Sequence, residues 1–138
     1  MPRLHRGTWI VVACSEGAMI LENAGCVRNP DLRLIDRMDA PAPRVPETRR
    51  PLPEVTDRGR LATSAFAAQV VSRLAREAAR GGAQRLVLAA SPPLLGAIRD
   101  RLDEDLRARV VLTLPKTLTR QPLGKIVAVV NEALDRAA

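Results

Sequence analysis

The sequence predicts an α/β fold in which one five-stranded mixed sheet is covered by three helices. Three observations predict it. The first third of the chain holds three short apolar runs parted by turn residues. The second half alternates strand-length apolar runs with stretches whose apolar residues recur every three or four positions. The chain has 138 residues, 46% of them hydrophobic, which is single-domain length (1–138) and enough for one real core.

The elements follow in order. Thr8-Trp-Ile-Val-Val-Ala-Cys14 is a short run rich in β-formers and reads as a buried strand. Ser15-Glu16-Gly17 is turn chemistry, and Ala18–Asn23 returns as the second strand of a hairpin. Leu32–Met38 gives a third strand, whose partial alternation suggests an exposed face or a sheet edge. Residues 39–60 change character: five of the eleven prolines fall there (Pro41, Pro43, Pro46, Pro51, Pro53), so a Pro/Arg-rich extended loop is expected.

From Leu61 the period becomes helical, with Phe66, Val70, Val71, Leu74 and Ala78 on one face, and Gly81-Gly82 ends the helix. Arg85–Ala90 is the fourth strand. Leu95, Ile98, Leu102 and Leu106 stripe a second helix, Arg109–Leu114 is the fifth strand, and a third helix starts near Pro122 and buries Leu123, Ile126, Val127, Val130 and Leu134. The order β-β-β-α-β-α-β-α gives an antiparallel meander followed by two right-handed crossovers, which is the ribonuclease H-like plan.

The core must be almost wholly aliphatic, because Trp9 and Phe66 are the only aromatics. The charge is +7, with 22 basic residues, of which only Lys116 and Lys125 are lysines. Such a balance permits contact with phosphates or acidic partners. No apolar run approaches the roughly 20 residues that span a bilayer. No export signal is visible, and Cys14 and Cys26 make no disulfide framework, so a cytoplasmic protein with reduced thiols is expected.

Catalytic chemistry finds little footing. A two-metal nuclease would want an acid in the first strand, and neither the first nor the fourth strand carries one. His5, the single histidine, falls in an amino-terminal segment expected to fray. Cys14 at the end of a buried strand reads as a small core residue before it reads as a nucleophile, and Cys26 reads as exposed. Ser91-Pro92-Pro93 lacks the glycines of a phosphate cradle, so Ser91 is expected as a helix N-cap with Pro92 at the first helical position, the other reading being a polar surface patch. Gly81-Gly82-Ala83-Gln84 resembles the Gly-Gly-Gln of peptide-chain release factors, but Ala83 interrupts it on a short connection. No catalytic residue, metal site or cofactor is expected. Arg44, Arg49, Arg50, Arg58 and Arg60 of the 39–60 loop are the nucleic-acid contacts expected, against a plain solvated loop as the alternative; without interleaved aromatics such contacts would go to phosphates.

Three segments, Trp9–Gly25, Arg85–Leu102 and Leu112–Ile126, together resemble the bacterial host-attachment protein family. The matching residues are Trp9, Ala13, Glu22, Asn23, Pro92, Leu95, Gly96, Arg99, Leu118, Thr119 and Pro122. Departures are Cys14 and Thr117 where members have Asp, Gly17 and Met19 where they have Arg, and Arg120 where they have Lys. The family is similar to the central domain of archaeal and eukaryotic release factors. The resemblance implies the fold above, a setting in translation, and a motif surface of unassigned role at Ser91, Pro92, Gly96, Arg99, Thr119, Arg120 and Pro122. The first functional expectation is a non-enzymatic domain that binds RNA or the ribosome. The alternatives are a factor with protein partners that acts indirectly in attachment to host cells, and a hydrolase of peptidyl-tRNA esters.

Overall fold

The computed structural model describes residues 4–26, 28–39 and 55–137. Along them run β1 (Trp9–Cys14), β2 (Gly17–Asn23), β3 (Leu32–Asp39), α1 (Val55–Ala79), β4 (Leu86–Ala90), α2 (Pro92–Arg101), α3 (Glu104–Arg109), β5 (Val110–Leu114) and α4 (Leu123–Ala137). The five strands form one sheet in the order β3-β2-β1-β4-β5. β1 pairs antiparallel with β2, and β2 with β3; β4 runs parallel to both β1 and β5. The mixed sheet expected from the sequence is the one observed.

Strand position follows from side-chain pattern. β4 is apolar and buried throughout, and β1 is buried up to Cys14, as strands packed on both faces must be. β3 is mostly exposed and stands at one edge. On one face of the sheet Trp9, Val11, Ile20, Leu86 and Leu88 pack against Phe66, Val70 and Leu74 of α1, Ile98 of α2 and Leu106 of α3. On the other, Ile10, Val12, Leu21, Val87 and Ala89 meet Ile126, Val130 and Leu134 of α4. Alternation along each strand therefore feeds two aliphatic cores from one sheet.

Four expectations are corrected. The Pro/Arg-rich loop is not a loop over all of 39–60: Asp39 belongs to β3 and α1 begins at Val55, not Leu61. The prolines end at Pro53, and only Gly59 then weakens helix formation. Second, the helix expected over Leu95–Leu106 is two. Leu102 turns extended, and Asp103 caps a fresh helix by accepting the Leu106 N–H at 2.8 Å. The apolar stripe survives the break, since all four of its leucine and isoleucine residues are buried. Third, Leu123 is exposed rather than core, for it is the first residue of α4 and lies before the helix settles on the sheet.

Fourth, the segment around His5 is not frayed. Leu4 is fully buried, and its carbonyl accepts from Asn23 Nδ2 at 2.9 Å. Asn23, itself fully buried, also donates to the His5 carbonyl (3.3 Å) and accepts from the Gly25 and Asp31 N–H groups at 3.0 and 2.9 Å. One side chain thus ties Leu4 and His5 to the loop between β2 and β3.

Candidate functional site

β1, β4 and β5 are parallel, so their carboxyl ends share one edge of the sheet. From there β1 turns back to β2, whereas β4 leads through α2 and α3 to β5. In open α/β sheets ligands sit where the strand order changes direction in this way. Ala13 pairs with Ala90, so Cys14 and Ser91 leave the sheet side by side.

A cleft of about 210 Å³ opens at the end of β1. Cys14, Glu16, Met19, Arg37, Thr119 and Arg120 are among its walls. Alternation along the strands explains the company. Val12 pairs with Met19 and Met19 with Arg37, so these lie on the face that α4 covers, as does Cys14 two residues beyond Val12. The loop before α4 then delivers Thr119 and Arg120. One Arg120 nitrogen, Nη2, donates to both oxygens of Glu16, at 3.2 and 3.1 Å, and both side chains are largely exposed. Cys14 is half-buried, not a core residue as its place in the sequence suggested. It ends β1 beside a two-residue turn, where the sheet has run out, and its Sγ accepts the Glu16 N–H at 3.4 Å. At Gly17 a Cβ would lie 2.7 Å from the Met38 carbonyl oxygen, so β3 closes one side of the cleft over a missing side chain.

The cleft can hold charge and donate hydrogen bonds. Among the described residues no three His, Cys, Asp or Glu side chains gather as a metal site.

The other sequence-named residues disperse. Ser91 and Pro92 make the expected corner in backbone terms, with Pro92 opening α2 and the Ser91 carbonyl accepting from Leu95 at 2.8 Å. The Ser91 hydroxyl nevertheless makes no cap bond; Pro93, at the second helical position, has removed one of the two N–H groups a cap would serve. Pro122 directly precedes α4, and its carbonyl accepts from Lys125 and Ile126 at 3.0 and 3.1 Å. Gly96 and Arg99 line a separate, larger cavity of about 530 Å³ beside β5. Gly81 takes φ +88°, and the Gly81 and Gly82 N–H groups close the last turn of α1, so Gly81-Gly82 is a helix ending. Arg44, Arg49 and Arg50 lie outside the described residues, and Arg58 and Arg60 belong to α1, not to a loop.

Sequence reasoning missed Glu16 and Arg37 in the cleft, and Arg107 and Thr113 in the cavity. Glu16 and Arg120 meet across 104 positions, a distance at which no local pattern speaks.

A protein-family model described as bacterial archaeo-eukaryotic release factor family 12 matches residues 7–130. The match runs from just before β1 into α4 and includes both the cleft and the cavity. It bears out the release-factor side of the resemblance read from the sequence, and the host-attachment name is no part of it. No curated protein matches the chain.

Proposed function

The chain belongs to bacterial archaeo-eukaryotic release factor family 12, and from that membership we propose that it is a binding domain that engages the ribosome or RNA and catalyses no reaction itself. The family match over residues 7–130 carries the reading, because it sets the chain beside proteins named for release of the nascent peptide. The surface supports it: Arg6, Arg28, Arg76, Arg80 and Arg85 are exposed and form no ion pair among the described residues. Guanidinium groups left open to solvent are suited to phosphate. Gln84, which a release activity would need at a Gly-Gly-Gln tip, is instead bound to the end of α1 through the Gly81 carbonyl at 3.5 Å.

Co-sedimentation tests the reading. Purified protein mixed with bacterial ribosomes is expected to travel with them at about 50 mM salt and to be released by about 200 mM, as contacts to phosphate require. Protein that stays at the top of the gradient at every salt concentration refutes it. Release of peptide from a model peptidyl-tRNA, lost in Gln84→Ala, would make the chain an enzyme instead. A second reading, a factor that acts through protein partners, is favoured by one observation, the open cavity beside β5.

A further inference from the structure

β5 is the last strand of the sheet, and among the described residues no strand pairs with its free side. Its residues Val-Val-Leu-Thr-Leu include no charge and no proline, two of the guards that sheet edges commonly carry. A register irregularity between β4 and β5 leaves Val111 unpaired and 45% exposed.

α2 and this strand border a common cavity. Leu95 and Ile98 bury one flank of the helix, and Arg101 on that side reaches Ser64 of α1. The opposite flank presents Gly96, Arg99 and Asp100 to the 530 Å³ cavity, whose further walls are Arg107 and, from β5, Val110 and Thr113.

Charge and shape define what fits. Arg107 is held by two neutral acceptors, the Leu102 and Arg99 carbonyls at 3.2 and 3.1 Å, so its charge is positioned without being cancelled. Arg99 has no ion pair among the described residues, and Asp100 is the single carboxylate against the two guanidiniums. Gly96 sits inside a helix, where glycine costs about 0.5–1 kcal/mol relative to alanine. A Cβ there would meet nothing within 4 Å, so no packing inside the chain calls for the glycine. The bare backbone leaves room for something from outside.

We propose that this groove receives an extended segment of a partner protein, which adds a sixth strand along β5 and turns acidic side chains toward Arg99 and Arg107. Main-chain groups of the open edge would supply affinity, and the two arginines the choice of charge. RNA fits less well, because the aromatics available for stacking, Trp9 and Phe66, are both buried in the core under α1. A second copy fits less well too, since its β5, Val-Val-Leu-Thr-Leu, carries no acidic side chain to offer Arg99 and Arg107. The proposal is independent of ribosome binding.

The probe is a fluorescent nine-residue peptide in which glutamate alternates with valine and threonine, titrated into the whole chain, with hydrogen exchange read on β5. The glutamate peptide is expected to bind at least about tenfold tighter than the same peptide with lysines, and Arg99→Glu to weaken it about tenfold. Gly96→Leu should block the groove with the thermal midpoint unchanged or raised. Amides of β5 should gain protection, and N-methylation of alternate peptide nitrogens should abolish binding. No binding at millimolar peptide, equal binding of the two peptides, or an unchanged β5 overturns the proposal. Displacement by a single-stranded RNA oligonucleotide overturns it in favour of phosphate, and concentration-dependent dimerisation lost in Gly96→Leu overturns it in favour of a second copy.

Discussion

The Arg73 guanidinium stands 5.5 Å from the centroid of the Trp9 ring, while the ring's own Nε1–H donates to Glu22 at 3.1 Å. Arg73 also donates to Asp36 at 3.0 Å and to Glu77 at 3.3 Å. One side chain of α1 therefore grips β1 through an aromatic face and β3 through a carboxylate. The hydrogen bond to Asp36 is the main reason that the guanidinium's pKa is raised above its ordinary value.

Arg73→Met is expected to destabilise the fold by about 1–2 kcal/mol, through loss of charge-assisted bonds and the cation–π contact. Because the folded-state pKa is raised, the contribution is fully present below the ordinary value and would fade only as pH climbs through the raised one. The loss should thus be the same between about pH 6 and 9. Denaturant unfolding followed by Trp9 fluorescence checks this, and an unchanged midpoint would contradict it.

Asn23→Ala is expected to cost about 3 kcal/mol, since four backbone groups would lose a buried partner. Asn23→Asp keeps the two acceptor bonds but sets a carboxylate against the Leu4 and His5 carbonyls, and should be no better. The same unfolding assay applies. A cost under about 1 kcal/mol for both would show that water replaces the side chain.

Gly96→Ala is expected to stabilise the protein by about 0.5–1 kcal/mol, because the added methyl enters open space on a helix. A lowered thermal midpoint would mean that the helix there is held tighter than its surroundings indicate.

Arg120→Ala should leave stability within about 0.5 kcal/mol, as the Arg120–Glu16 pair is exposed on both sides. A larger loss, measured by calorimetry, would give the cleft a structural role.

Much of the architecture was legible because it follows from local pattern. The unbroken apolar runs of Trp9–Ala13 and Leu86–Ala90 marked buried strands, and the partial alternation of Leu32–Met38 an exposed face or an edge; the first two are internal in the sheet and the third is its edge. Asp103 was a readable N-cap that the stripe through Leu102 and Leu106 masked, since periodicity continued across a break in the backbone. The Glu22-Asn23 pair, named as a resemblance, has a structural explanation: one residue binds the Trp9 indole and the other anchors the amino-terminal segment. The cleft was not legible. Cys14, Arg37 and Arg120 come together only once the sheet and the loop before α4 are both in place, and no spacing in the sequence encodes that meeting.

The close approach at Gly17 bears on how this chain can change over generations. A neighbour that has moved in where a side chain is missing makes the absence hard to reverse. Any other residue at that position would collide with the Met38 carbonyl until β3 had first drawn back. Variation in what the cleft accepts therefore falls to its other walls, Cys14, Glu16, Met19, Arg37, Thr119 and Arg120 among them, while position 17 stays closed as long as β3 keeps its place.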